Sequence, residues 1–254
     1  MTAGHPVDLG VTLAGVRLPF AAMNASGAWS STTSELRALA RSATGAIVTG
    51  SATVHPFLHP QYRALHNPGY DKLAVLVREL AALGERPVIA SIAGATPDEY
   101  LTLARAFAES GAAAVEANLS DPYVTATLAP LDDPGVLREL ATRLVASCSV
   151  PVLVKLPDDV PLRHHQLVED LTAARVPVVI VRNDFTGFEK LLLAAGGAFQ
   201  IVTVGGIASG YDVVRALGKG AAAVQVREPL VSERSTIFAR LAREMRAARG
   251  EHPA

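Results

Sequence analysis

Several features that mark other classes of protein are absent from this chain or scarce in it. Its only cysteine is Cys148, so an internal disulfide is excluded, and this residue reads as a small buried hydrophobe rather than a nucleophile. Aromatic residues make up 5% of the sequence, and 23 basic against 24 acidic residues give a net charge of -1. A balanced charge gives no electrostatic case for binding nucleic acid or an anionic membrane surface.

Long apolar runs are missing as well. No run reaches the roughly 18 residues of a membrane-spanning helix, and the N-terminus lacks the basic-then-apolar layout of a signal peptide. We therefore expect a cytoplasmic protein without a membrane partner. Neither a linker nor a low-complexity segment divides the chain. This predicts one domain over residues 1–254, with an N-terminal hairpin or plug at 1–18 and a frayed tail at 250–254.

The sequence instead alternates short apolar or β-branched runs with helix-patterned stretches. The eight runs are Pro19–Gly27, Ala46–Thr53, Pro87–Gly94, Ala114–Ser120, Val150–Pro157, Pro177–Asp184, Gln200–Ile207 and Ala221–Glu228. Strands that alternate with helices indicate parallel pairing, because a parallel neighbour is reached only by a long crossover. Eight such units in 254 residues predict an α/β fold, a single (β/α)8 TIM barrel.

Catalytic residues of such barrels lie at the carboxyl ends of the strands. The fourth run is the richest in polar residues, and its period of two places Glu116, Asn118 and Ser120 on one face and apolar residues on the other. A buried carboxylate needs a partner, and the fifth run offers Lys155. We predict that Glu116 and Lys155 pair inside the barrel, with Lys155 nearer the mouth.

Glycines at the end of the seventh run predict a phosphate-binding loop at the barrel mouth. Gly205 and Gly206 leave backbone N–H groups available to a ligand, and the loops after strands seven and eight of a barrel often bind phosphate. A tight turn without a ligand is the alternative. Elsewhere, His164 and His165 stand in the first turn of a predicted surface helix, and no metal site is expected there.

Six motifs follow one another in a set order: Met23-Asn24-Ala25-Ser26-Gly27, Gly45-Ala46-Ile47-Val48-Thr49, Leu65-His66-Asn67-Pro68-Gly69, Glu116-Ala117-Asn118-Leu119-Ser120, Val154-Lys155-Leu156-Pro157 and the pair Gly205–Gly210 with Gly220–Val226. In this order and at these strand positions they resemble the class 1 dihydroorotate dehydrogenases. The resemblance spans about Leu9 to Met245. That family consists of FMN-binding (β/α)8 barrels that oxidise dihydroorotate to orotate.

The resemblance implies one set of residues along the isoalloxazine ring and the substrate: Ala25, Ser26, Asn118, Lys155 and Asn183. It places Gly205 and Gly206 at the flavin phosphate. Ser51, at the end of the second run, and Arg227, after the eighth, complete the candidate cofactor site.

Departures from the family pattern fall at this same site. The family's Asn-Leu-Ser-Cys-Pro-Asn, in which the cysteine is the general base, reads here Asn118-Leu119-Ser120-Asp121-Pro122-Tyr123. A carboxylate thus takes the place of the thiol. The candidate catalytic residues are therefore Lys155, Asp121 and Ser120.

Other departures concern the cofactor. Gly50 replaces a flavin-contacting lysine, a substrate-binding loop is missing between Tyr62 and Leu65, and a glycine-rich flavin loop is missing after Asn183. The family's Gly-Thr after the last strand is Arg227-Glu228; Arg227 can bind phosphate by a forked contact, whereas Glu228 disfavours it. We predict that FMN binding is weak or lost and that dihydroorotate itself is not oxidised.

Three functions stay open at this point. The first is a flavin-dependent oxidation of the CH-CH type, on a dihydropyrimidine-like or other small planar substrate. The second is a flavin-free barrel that binds another small polar, planar or phosphorylated ligand, or serves as a subunit of a complex. The third is a non-redox lyase or isomerase that uses Lys155, because an amine in an apolar barrel can act as a nucleophile. A homodimer is left open too.

Overall fold

The computed structural model describes residues 8–57, 67–121, 134–157, 164–183 and 188–250. An antiparallel hairpin comes first, formed by β1 (Val11–Leu13) and β2 (Val16–Leu18). Leu13 and Leu18 of this hairpin pack among side chains of the barrel interior. Residues 1–7 of the predicted plug and 251–254 of the predicted tail lie outside the described residues.

Eight parallel strands form the barrel: β3 (Ala22–Asn24), β4 (Ile47–Val48), β5 (Val88–Ile92), β6 (Ala114–Asn118), β7 (Val152–Lys155), β8 (Val178–Arg182), β9 (Gln200–Val204) and β10 (Ala223–Val226). Their order is β3-β10-β9-β8-β7-β6-β5-β4, so the last strand in the chain pairs with the first. The predicted α/β barrel of eight strands is confirmed.

A side chain closes the seam between β3 and β4. Asn24 Nδ2 donates to the carbonyl of Val48 over 2.6 Å, and Asn24 Oδ1 accepts from the N–H of Val48 over 2.9 Å. Lower in the same seam, the N–H of Gly45 donates to the carbonyl of Ala22 over 2.8 Å. Asn24 is fully buried, and its amide takes the place of a regular backbone ladder between these two strands.

The predicted second strand is longer than the observed one. β4 stops after two residues because Gly50 turns aside and donates its N–H to the carbonyl of Ser30 over 2.9 Å. The hydroxyl of Thr49 then accepts the N–H of Ser91 over 3.0 Å, and pairing resumes at Ala52 as a single bridge to β5. This interruption turns Ser51 toward the barrel mouth, where it contacts the side chains described below.

Helices surround the barrel: α1 (Thr33–Ala40), α2 (Tyr70–Leu83), α3 (Pro97–Glu109), α4 (Pro134–Ser147), α5 (His164–Ala173), α6 (Phe188–Ala195), α7 (Gly210–Gly218), α8 (Glu228–Glu233) and α9 (Ile237–Ala248). The pattern of residues in Glu233–Ala248 predicts one last helix, but the observed helix α9 begins four residues later, at Ile237. Arg234 has a positive φ of 54°, which ends α8, and a short 3-10 turn over Arg234–Thr236 then leads directly into α9.

The strands carry two layers of apolar side chains. Outward residues such as Val115 and Val154 pack against the helices, whereas inward residues such as Ile89 and Leu153 fill the barrel. This separation is the period of two predicted from the sequence. Cys148 follows α4 and lies partly buried against the outer layer, where burial raises the pKa of its thiol. Within the described ranges, no helix has the length and apolar character of a membrane span.

Candidate functional site

Glu116 lies at the centre of a buried polar cluster in the barrel. Its carboxylate accepts hydrogen bonds from the hydroxyls of Ser26 (2.8 Å) and Ser91 (3.0 Å) and from the amide of Gln225 (2.6 Å). Glu116, Ser91 and Gln225 are completely buried. Three donors from three other strands or strand ends therefore compensate the cost of taking this carboxylate out of water.

Lys155 lies one layer closer to the mouth than Glu116. The register of β6 and β7 pairs Lys155 with Asn118 and pairs Glu116 with Leu153. Lys155 Nζ donates to Ser26 Oγ over 3.0 Å and lies 4.0 Å from Glu116 Oε1. The predicted pairing of Glu116 with Lys155 is confirmed, and the hydroxyl of Ser26 links the two charged groups.

Above Glu116 and Lys155, the side chain of Asn118 forms hydrogen bonds with the hydroxyl groups of two serines. Its Nδ2 donates to Ser51 Oγ over 2.9 Å, and its Oδ1 accepts from Ser120 Oγ over 2.7 Å and from the N–H of Ser120 over 3.2 Å. Ser51 Oγ lies 3.2 Å from Ser91 Oγ, which joins this group to the Glu116 cluster. Five predicted site residues thus form one connected network: Ser26, Ser51, Asn118, Ser120 and Lys155.

Behind β6, Tyr100 supports this arrangement from the helical layer. Its hydroxyl donates to the carbonyl of Asn118 over 3.3 Å. Burial raises the pKa of Tyr100 far above its ordinary value, and the charge of Asp121 acts in the same direction, so the hydroxyl remains a neutral donor. Asp121 stands at the turn after β6. Its role as a base stays a prediction, and Pro122 and Tyr123 lie outside the described residues.

The sequence did not predict that Gln225 and Ser91 bind the carboxylate of Glu116. A signal was available for Gln225, which is the polar residue between Val224 and Val226 of β10 and must point inward when its neighbours face the helices. The oxygen Gln225 Oε1 is buried and has no hydrogen-bond partner among the described residues. The partner of Gln225 could not be read from sequence, because it lies on the opposite side of the barrel.

The predicted phosphate end forms a second group. Gly205 and Gly206 have φ angles of 79° and 65°, a conformation that favours glycine. A Cβ placed on Gly206 would lie 3.2 Å from Asn183 Nδ2, so Asn183 does lie beside this turn. Arg227 is exposed at the start of α8, and the residue that faces Gly205 is Glu228: a Cβ placed on Gly205 would lie 3.8 Å from Glu228 Oε1.

Other predicted features of the mouth fall on undescribed parts of the chain or receive no support. The missing loop between Tyr62 and Leu65 lies outside the described residues. No group of three or more His, Cys, Asp or Glu side chains suited to a metal ion occurs within the described ranges. Among the described residues, the network around Lys155 offers one ammonium, one side-chain amide and several hydroxyls above a buried carboxylate.

Comparison with known proteins agrees with this geometry. A family model described as "Dihydroorotate dehydrogenase" matches residues 62–193, about half of the chain. A protein of Aeropyrum pernix named "Putative dihydroorotate dehydrogenase A (fumarate)" is 30% identical over 163 residues, which cover 59% of this chain and 53% of that protein. The chain thus matches about half the length of that relative.

Two other relatives match more of the chain at lower identity. "Dihydroorotate dehydrogenase B (NAD(+)), catalytic subunit" of Thermoplasma acidophilum is 26% identical over 71% of this chain and 69% of its own length. "Putative dihydroorotate dehydrogenase A (fumarate)" of Pediococcus pentosaceus is 28% identical over 86% of this chain and 87% of its own length. Together with the eight-stranded barrel and the Glu116–Lys155 cluster, these matches show that the chain belongs to the dihydroorotate dehydrogenase family.

Proposed function

We propose that this barrel binds a small, planar, polar ligand above Ser26, Asn118 and Lys155, that it binds FMN weakly or not at all, and that it does not oxidise dihydroorotate. The carrying observation is the network in which Lys155 donates to Ser26 while Asn118 donates to Ser51. Such a cluster offers donors from an ammonium and an amide at the mouth of an otherwise largely apolar barrel. A planar molecule with carbonyl or carboxylate oxygens complements these donors.

The residues fit the two ends of FMN differently. At the ring end, Ser26, Asn118 and Lys155 are mostly buried, and their positions are fixed by hydrogen bonds. They would hold the polar edge of a flavin, which would supply redox chemistry. At the phosphate end the carboxylate of Glu228 faces Gly205, and its negative charge disfavours a phosphate there. Gly50 also supplies no side chain where the family has a lysine.

Two alternatives from the sequence are kept as proposals of lower rank. A flavin-dependent oxidation of another dihydropyrimidine-like substrate is supported by the intact ring end. A lyase or isomerase that uses Lys155 requires a free amine, and here the amine is hydrogen-bonded to Ser26 and lies 4.0 Å from a carboxylate. A homodimer or a role as a complex subunit, a cytoplasmic location and the absence of nucleic-acid binding also stay predictions.

In the test, orotate and FMN are each titrated into the full chain, and binding is monitored by tryptophan fluorescence. Trp29 is the only tryptophan and stands three residues after Ser26, so it reports on the site. We expect saturable orotate binding and an FMN affinity roughly a hundredfold weaker than that of an intact flavin site. A Lys155→Met variant should lose orotate binding, whereas Lys219→Met, which changes an exposed lysine paired with Glu189, should retain it.

Two results would contradict the proposal. A purified protein that keeps stoichiometric FMN through gel filtration, visible in its absorbance spectrum, would restore the flavin-dependent oxidation to first place. Orotate binding that is absent, or that is unchanged in Lys155→Met, would show that the ligand does not lie above Lys155. Assaying dihydroorotate oxidation with fumarate and with NAD+ as acceptors tests the remaining part, and we expect no turnover with either.

A further inference from the structure

The loop after β9 has the backbone of an anion-binding loop. Gly205 and Gly206 both have left-handed φ angles, and the nine-residue helix α7 begins four residues later at Gly210. In barrels of this kind, the backbone N–H groups of such a loop and the following helix start commonly hold a phosphate. Such a site requires that these N–H donors are not already occupied by groups of the chain itself.

Carboxylates of the chain itself occupy three consecutive donors. The N–H groups of Ala208 and Ser209 both donate to Asp212 Oδ2, over 3.1 and 2.9 Å. The N–H of Gly210 donates to Glu244 Oε2 over 2.7 Å. The positive end of the α7 dipole is therefore compensated internally. A phosphate arriving here would meet few unused N–H groups and two negative charges.

Asp212 keeps its charge in this position. Burial acts to raise its pKa, but hydrogen bonds from the side chain of Ser209 and from the backbone of Ala208 and Ser209 outweigh burial, so the pKa lies below its ordinary value. Its neighbour Arg215 pairs with it over 2.6 Å.

Glu244 is likewise engaged with a cation. Arg240 donates to Glu244 over 2.8 Å and to Glu233 over 2.7 Å, and it also donates to the carbonyl of Ala208 over 3.0 Å. Both Arg240 and Arg215 are thus held by carboxylates of the chain rather than directed at the Gly205–Gly206 turn.

Glu228 adds a third carboxylate, on the other side of the loop. A Cβ placed on Gly205 would have Glu228 Oε1 at 3.8 Å and Oε2 at 4.0 Å, and no other described atom outside the adjoining residues lies within 4 Å of that position. The Glu228 side chain is exposed, so its substitution leaves the core intact. A phosphate bound at this turn would be repelled by the Glu228 carboxylate, and that repulsion weakens with salt.

We infer that Glu228 determines ligand specificity by excluding phosphate, so that the molecule bound in this barrel is unphosphorylated at the end that reaches Gly205 and Gly206. This inference rests on the proposed function, because it concerns the far end of the ligand bound above Lys155. An uncharged end with hydroxyl groups suits the turn, because the carboxylate of Glu228 accepts hydrogen bonds from hydroxyls.

Riboflavin and FMN are matched probes, since they differ only by the phosphate. Both are titrated into the full chain and into Glu228→Gln, with Glu85→Gln as a control that changes the same charge at an exposed loop between α2 and β5. We expect the wild-type protein to bind riboflavin at least as tightly as FMN. Glu228→Gln should improve FMN affinity about tenfold and leave riboflavin affinity within twofold. Glu85→Gln should change neither.

A wild-type protein that prefers FMN over riboflavin by tenfold would overturn the inference, as would an unchanged preference in Glu228→Gln. If neither flavin binds, as the proposed function allows, orotate binding tests the ring end and inorganic phosphate tests Glu228 separately. Thermal unfolding is followed in phosphate and in chloride at equal ionic strength. We expect phosphate to stabilise Glu228→Gln more than wild type. An equal response in both proteins, including no response in either, refutes the role of Glu228.

Discussion

Asn24 binds both backbone groups of Val48, and through these two hydrogen bonds one side chain joins the first and second strands of the barrel. The amide imitates a strand residue, because it presents one donor and one acceptor in the same plane. Elsewhere in the barrel, backbone ladders connect neighbouring strands. Among uncharged side chains of this length, only asparagine and protonated aspartic acid offer both a donor and an acceptor. The side-chain closure of this seam therefore depends on the residue type at position 24.

Asn24→Ala should therefore destabilise the protein by about 2–4 kcal/mol, because it leaves a buried N–H and a buried C=O without partners. Urea unfolding followed by circular dichroism measures this change. The matched control is Gln200→Ala, which also removes two amide hydrogen bonds, to the N–H of Ala14 and the carbonyl of Thr12. Those bonds lie at a more exposed position, so we expect less than half the loss. Equal losses for both variants would show that the seam needs no side-chain closure.

The Glu116–Gln225 contact can be tested by exchange. Glu116→Gln should cost about 3 kcal/mol of unfolding free energy, since the hydroxyls of Ser26 and Ser91 and the amide of Gln225 all donate to the carboxylate. Gln225→Glu should also destabilise, because it sets two carboxylates against each other.

The double variant Glu116→Gln with Gln225→Glu restores an amide facing a carboxylate. We expect it to recover at least half of the summed loss, as measured in a double-mutant cycle. Losses that simply add in the double variant would mean that the 2.6 Å contact contributes no coupling.

The capping carboxylate of α7 predicts a pH dependence. The pKa of Asp212 lies below its ordinary value in the folded protein, so its stabilising effect is complete above the unfolded-state pKa and is lost as the pH falls through the folded-state pKa. The stability difference between wild type and Asp212→Asn should thus be about 1 kcal/mol at neutral pH and should shrink below about pH 4. Urea unfolding of both proteins is measured across this range. The contributions of the other carboxyl groups then cancel in the difference between the two free energies of unfolding. A difference that grows on acidification would contradict the assignment.

Gly50 replaces a lysine of the family, and the structure gives a reason why that lysine cannot simply be restored. A Cβ on Gly50 would lie 3.2 Å from the carbonyl oxygen of Ser30, to which Gly50 already donates. Gly50→Ala should therefore destabilise by about 1 kcal/mol. Gly218→Ala, at the end of α7, meets nothing within 4 Å and should stabilise by a few tenths of a kcal/mol. Thermal melts of the two variants should shift in opposite directions, and a shift of Gly50→Ala to higher temperature would be inconsistent with crowding.

Local patterns in the sequence determined the architecture. Alternation of apolar runs with helical stretches is a property of consecutive residues, and it predicted all eight barrel strands. The period of two placed Glu116 and Asn118 on the inner face. The start of α3 is local in the same way, because Pro97 is its first residue and Thr96 caps it by accepting from the N–H of Glu99. The ordered motifs also indicated the family.

Only the tertiary structure decided which side chains meet. The link from Lys155 through Ser26 to Glu116 joins three strand ends, and the closure by Asn24 depends on the short β4. The carboxylates around the loop after β9 come from three segments, at Asp212, Glu228 and Glu244. Contacts between residues this far apart in sequence are set by strand register and by the closing of the barrel. Those are properties of the whole chain, whereas periodicity and capping are properties of a few neighbouring residues.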